Sequence, residues 1–125
     1  MHIKSLHQIA ALADDLDASI AFYRDILRVT FLAKYDPPGL AFFDLGGVRL
    51  LLEKGATRAT LYFWVEDIDA AYNDLLSKGV VFDREPHLVH KDDSGEFGVP
   101  GGEEWMAFFS DPAGNTLALA TRRLP

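Results

Sequence analysis

EEWMAFFSDPAGNTLALA, residues 103–120, reads as two strands joined by a tight turn. Trp105, Ala107 and Phe109 alternate with Glu104, Met106 and Phe108. After the turn, Leu117 and Leu119 alternate with Thr116, Ala118 and Ala120. A period of two in segments rich in aromatic and aliphatic residues is the mark of a strand. The joint between them, Asp111-Pro112-Ala113-Gly114-Asn115, has turn chemistry throughout. Pro fixes φ, Gly accepts positive φ, and Asp and Asn bond to nearby backbone. This hairpin closes a chain whose pattern is written twice.

Upstream, residues 6–12 (LHQIAAL) alternate as a strand, with Gln8, Ala10 and Leu12 on one face and His7, Ile9 and Ala11 on the other. The acidic turn Asp14-Asp15-Leu16-Asp17 then offers helix caps, with Asp17 the expected cap. Ile20, Tyr23 and Leu27 mark one face of a helix over 18–27. Strands are expected over 29–35, 40–45 and 48–53, separated by Asp36-Pro37-Pro38-Gly39 and Gly46-Gly47. Arg49, Leu51 and Glu53 share a face of the last of these. After the polar connector at 54–59 the order restarts. A strand is expected over 60–65 and a helix opening at Asp67-Ile68-Asp69 and stopping at Gly79. A strand over 80–88 and a long Gly- and Asp-rich loop over 89–102 precede the hairpin. Loops of that length are commonly functional lids, so this one is expected to be mobile and to gate a cavity.

The repeat is carried by Asp15-Leu16-Asp17-Ala18 and Asp67-Ile68-Asp69-Ala70, which stand 52 residues apart. Each half reads strand, helix, three strands. The expected fold is therefore α+β: two βαβββ modules in tandem (about 5–53 and 59–121) within a single domain spanning 1–125. They would form a curved eight-stranded mixed sheet around a concave cavity, with the helices outside.

Composition narrows the function. The net charge of −7 disfavours nucleic acid and anionic membrane surfaces, since phosphate binding needs clustered Lys and Arg. The absence of cysteine excludes disulfides, thiolate nucleophiles and thiolate-bound metals. No apolar run reaches the roughly 18 residues of a membrane span, and no signal-peptide pattern follows Met1, so a cytoplasmic location is expected. No Ser-His-Asp pattern, phosphate-binding glycine loop or EF-hand spacing is present. The loop acids Asp92, Asp93 and Glu96 read as solvated. His87 and His90, three apart on a strand, would face opposite ways. So would the neighbours Glu103 and Glu104.

The segment LHQIAALADDLDASIAFYRDIL together with the closing DPAGN turn resembles the glyoxalase / bleomycin-resistance / extradiol-dioxygenase superfamily, also called vicinal oxygen chelate proteins. The resemblance spans about residues 6–121. It implies the paired-module fold, a cavity on the concave sheet, frequent homodimers and, in many members, a divalent metal. It also implies where such a metal would be held. The ligand of the first module's opening strand is matched by Gln8 and that of the second by Thr60. The carboxylate after the DPxG turn is matched by Ala118. The first module's carboxylate falls near Leu51, with Glu53 two residues on. One carboxylate and two neutral oxygens are a weak set for a first-row divalent ion, so no metal cofactor is expected. The reading is of a protein that binds a small apolar or aromatic molecule in its cavity. The alternative is a metal-dependent lyase, isomerase or dioxygenase. Gln8, Glu53, Tyr62, His87 and Trp105 are the candidate ligand-binding residues.

Overall fold

The computed structural model describes all of residues 1–125. The elements in order are β1 (Gln8–Leu12), α1 (Leu16–Ala21), β2 (Thr30–Tyr35), β3 (Leu40–Leu45), β4 (Val48–Glu53), β5 (Thr60–Trp64), α2 (Ile68–Ser77), β6 (His87–Asp92), β7 (Gly102–Ser110) and β8 (Thr116–Arg123). The eight strands form two four-stranded mixed sheets, ordered β1-β4-β3-β2 and β5-β8-β7-β6. Each module thus repeats one topology, and the sheets are separate ladders. Two compact units result: Met1–Ala59 with Asp111–Asn115, and Thr60–Ser110 with Thr116–Pro125.

The repeat holds to the level of single hydrogen bonds. β1 and β5 start and stop 52 residues apart. The N-caps are Asp15 and Asp67, both extended, and their carboxylates accept from the amides of Ala18 and Ala70 at 3.2 and 3.0 Å. Leu16 and Ile68, the first residues inside each helix, are buried. The expected cap Asp17 lies two residues too late, inside the first turn. Its carboxylate instead accepts from Lys34 Nζ at 2.8 Å. The first helix also changes pitch: α1 continues through Phe22–Ile26 as a π-helical turn.

In the first unit the helix packs on β3 and β4. Tyr23, Phe43, Leu50, Leu52, Ala11 and Ala41 are buried on that side. The Tyr23 and Phe43 rings lie 5.8 Å apart. In the second unit α2 packs on β7 and β8. Tyr72, Phe82 and Phe109 form a ladder of rings at 4.7 and 5.0 Å. Alternation places Gln8, Ala10, Leu12, Arg49, Leu51 and Glu53 on the first sheet's other face, as the sequence pattern predicts.

Each module carries a β-bulge in its second strand. Phe31 pairs with Phe43 and Ala33 with Phe42, which leaves Leu32 as the extra residue. Leu88 pairs with Trp105 and His90 with Glu104, which leaves Val89 extra. A bulge inserts one residue and reverses the side-chain parity beyond it. His87 and His90 therefore face the same side, contrary to simple alternation.

The strand expected over 80–88 is displaced. Phe82 makes an isolated bridge to Phe109, and the regular strand is His87–Asp92, which begins in the last two residues of the expected strand and runs four residues into the expected loop. The remainder of that loop is anchored rather than free of partners. Asp92 is buried, and its carboxylate accepts from the amides of Gly95, Glu96 and Phe97 at 3.1, 2.8 and 2.9 Å. Arg122 Nη2 lies 2.9 Å from the same carboxylate and 2.7 Å from the Val99 carbonyl it also donates to. Asp92 is thus a structural acid, not a solvated one; only Asp93 and Glu96 are exposed.

The DPAGN turn, which looks like a simple hairpin end, is part of the first unit. Asp111 accepts from Tyr23 Oη at 2.6 Å, from the amides of Ala113 and Asn115 at 3.0 and 2.9 Å, and from Asn115 Nδ2 at 2.7 Å. Asn115 Nδ2 also donates to the Leu12 carbonyl at 2.8 Å, while its Oδ1 accepts from the Ala59 amide at 2.8 Å. Arg58 Nε donates to the Ala113 carbonyl at 3.0 Å.

Candidate functional site

On the face of the first sheet turned away from α1, a hollow of about 300 Å³ is lined by Leu32, Ala33, Tyr35, Phe42 and Arg49. The bulge at Leu32 builds it. By turning Ala33 and Tyr35 over, it brings them onto the side of Phe42. Tyr35 and Phe42 meet edge to face at 6.0 Å. Tyr35 and Leu32 are about half exposed, so the hollow is open to solvent. Its volume lies at the lower end of the range for ligand pockets; four of its five lining residues are aliphatic or aromatic and the fifth is cationic.

That group is the Arg49 guanidinium, 5.5 Å above the Phe42 ring. It is oriented by Gln8, the residue beside it in the β1–β4 register. Gln8 Oε1 accepts from Arg49 Nε at 3.0 Å and from Nη2 at 2.8 Å. His7 Nε2 lies 3.2 Å from Nη2; since a guanidinium only donates, this nitrogen is the acceptor and the ring proton sits on Nδ1. Arg49 makes no ion pair. Asp44, opposite it on β3, turns to the Gly47 amide at 3.2 Å instead.

Of the residues singled out in the sequence, Gln8 is joined to this hollow through Arg49, and Glu53 is not. Glu53 pairs with Leu12, four residues along β4 from Arg49, which is about 13 Å at the rise of a strand. Tyr62 and His87 come together in the second unit, on either side of Phe108, at centroid distances of 6.2 and 6.4 Å. His87 Nδ1 donates to the Glu85 carbonyl at 3.3 Å. Trp105 lies on the opposite face of that sheet from Tyr62. With Ala107 and Phe109 it faces α2, its ring lies 4.1 Å from the Arg123 guanidinium, and its Nε1 donates to Glu103 at 3.1 Å. Trp105 therefore does not share a lining with Tyr62, because parity on β7 separates them.

The positions at which the resemblance would place a divalent metal do not fit one. Gln8 spends its carbonyl oxygen on a guanidinium, so a cation already stands at that point. Glu53 is four strand residues away, and Ala118, wholly buried, has no donor atom. No three His, Asp or Glu side chains gather closely enough to hold an ion.

Leu32, Ala33, Tyr35, Phe42 and Arg49 were not among the residues expected from sequence. Arg49 carried a signal, since it shares a strand face with Leu51 and Glu53. Pairing β1 with β4 would have set it beside Gln8. Phe42 follows from the β3–β4 register, while Leu32, Ala33 and Tyr35 depend on the bulge.

Comparison with known proteins follows the same outline. The family model described as the Glyoxalase/Bleomycin resistance protein/Dioxygenase superfamily matches residues 5–119. An uncharacterized protein of Bacillus subtilis (strain 168), YraH, is 28% identical over 135 residues, covering 91% of this chain and 95% of that protein. Among solved structures, lactoylglutathione lyase from Agrobacterium tumefaciens superposes with a TM-score of 0.75 at 24% identity, covering 96% and 95% of the two chains. A superfamily member from Sphaerobacter thermophilus gives 0.73 at 22% identity, covering 95% and 98%. At these identities the structures share the fold. No helix of this chain is long and apolar enough to cross a membrane.

Proposed function

This chain belongs to the glyoxalase/bleomycin resistance protein/dioxygenase superfamily, and from that premise we propose that it binds a small apolar or aromatic molecule without the metal many members use. The observation that carries this reading is the hollow over β2 and β3, walled by Leu32, Ala33, Tyr35 and Phe42. Burying an aromatic ring against such a wall is favoured at about 25 cal/mol per Å² of apolar surface removed from water. Aromatic neighbours add edge-to-face contacts. The Gln8–Arg49 pair supports the metal-free half of the reading, because a fixed guanidinium repels a second cation.

Two measurements test it. Aromatic fragments titrated into ¹⁵N-labelled protein are expected to shift the amides of residues 31–35 and 41–43; an unmoved spectrum would reject the hollow as a binding site. Calorimetric titration with Zn²⁺, Ni²⁺, Mn²⁺ and Fe²⁺ is expected to show no stoichiometric site. A submicromolar ion lost on Glu53→Ala would restore the metal-dependent lyase, isomerase or dioxygenase. For the assembly a homodimer is proposed; a monomeric mass by light scattering at micromolar concentration would count against it.

A further inference from the structure

We propose that the hollow is a receptor for a small aromatic carboxylate, with Arg49 as the anion-binding group and Gln8 as the residue that positions it. The proposal rests on the preceding reading that the hollow binds small molecules, and goes beyond it by assigning the ligand's charge and the group that reads it.

The chain has 19 acidic and 12 Lys or Arg residues, so a cationic side chain without a carboxylate partner stands out. Arg49 is one. Its Nε and Nη2 donate to a neutral amide and Nη2 also reaches a neutral imidazole. The acid nearest in register, Asp44, is engaged by a turn amide. Nη1 makes no hydrogen bond within the protein, which leaves its two N–H groups for a ligand. Gln8 holds the guanidinium in a fixed plane by two bonds along one edge, so little side-chain freedom remains to be lost on binding. The same guanidinium lies over Phe42, a wall of the hollow. A ligand whose ring lies on Tyr35 and Phe42 thus reaches Nη1 with a substituent at the rim.

The count of free donors selects the class of anion. The two N–H groups of one nitrogen point apart, so a ligand carboxylate meets Nη1 through one charge-assisted bond. A phosphate or a polyanion would call for further donors, and the other lining residues, Leu32, Ala33, Tyr35 and Phe42, bring only one hydroxyl among their side chains. The apolar walls select an aromatic or aliphatic body over a sugar or a peptide.

The test compares 2-naphthoate with 2-naphthamide, which keeps the ring and the shape and removes the charge. Both are titrated by calorimetry and by amide chemical shift into the wild type and Arg49→Gln, an exposed strand position where the change leaves the core intact. The expected result is that the wild type prefers the carboxylate by roughly tenfold, the size of one charge-assisted hydrogen bond, and that Arg49→Gln removes the preference. Gln8→Leu is expected to weaken the carboxylate and not the amide. Equal affinity of the wild type for both probes would overturn the charge assignment and leave the hollow as a neutral site. A preference that survives Arg49→Gln would overturn the role of Arg49. Failure of both probes to bind would overturn this proposal along with the reading it rests on.

Discussion

The carboxylate of Asp111 accepts four hydrogen bonds from neutral donors and faces no cation. Its buried neighbour Tyr23 is held neutral: burial first, then the charge of Asp111 and the hydrogen bond to it, push the phenol far above its ordinary range, so it donates at every working pH. Tyr23→Phe removes one of these four bonds and is expected to lower unfolding stability by roughly 1.5–3 kcal/mol in urea melts. Asn115→Ala should cost more, since it leaves the Leu12 carbonyl and the Ala59 amide unpaired as well. The reverse case is Ser19, a buried hydroxyl in α1 with no protein partner. Its counterpart 52 residues on is Ala71. Ser19→Ala, which removes an unpaired polar atom and raises helix propensity, is expected to stabilise the fold by about 1 kcal/mol.

The segment between β6 and β7 illustrates how one acid organises a loop. Burial would raise the Asp92 pKa, but the amides of Phe97 and Glu96 and the Arg122 guanidinium outweigh it and bring it down to about 2. A folded value below the unfolded one of about 3.9 means that the stabilisation is complete above that pH and is lost as pH falls through the folded value. The gap in thermal midpoint between wild type and Asp92→Asn is therefore expected to be constant from about pH 5 upward and to close between about pH 4 and pH 2. Gly102 matters for the same clasp. A Cβ there would overlap the Arg122 guanidinium, which lies flat against the glycine. In Gly102→Ala the amides of Gly95, Glu96 and Phe97 are expected to exchange faster than in the wild type, with helix α2 unchanged; equal protection would show that the clasp does not depend on close approach. The expectation of a mobile lid came from counting glycines and charges. The count could not show that one of the charges is buried and holds the backbone of the rest.

Two units share one chain in a way that makes the first depend on the last hairpin. Met1–Ala59 is completed by Asp111–Asn115, and the end of β1, the end of the connector and Tyr23 all bond to that turn. A fragment of residues 1–59, although it contains a whole module, is expected to be unfolded by circular dichroism, because the carbonyl of Leu12 and the hydroxyl of buried Tyr23 lose their partners. Cooperative melting of that fragment would show that the turn is dispensable.

The tandem order, the acidic turns that open the helices, the limits of β3 and β4 and the hairpin were legible because each rests on local chemistry: alternation, turn residues, and a repeat that copies Asp15 into Asp67; which acid of the first turn caps was not. Three further features were not. The bulges at Leu32 and Val89 reverse parity without any residue that announces them, since a bulge is settled by the partner strand's register. The burial of Asp92 required its pairing with Arg122, 30 residues away. The hollow required β1 and β4 to lie side by side, so that Gln8 could turn Arg49 toward Phe42. Alternation along a strand assigns residues to two faces, but only the paired sheet decides which side chains on a face meet.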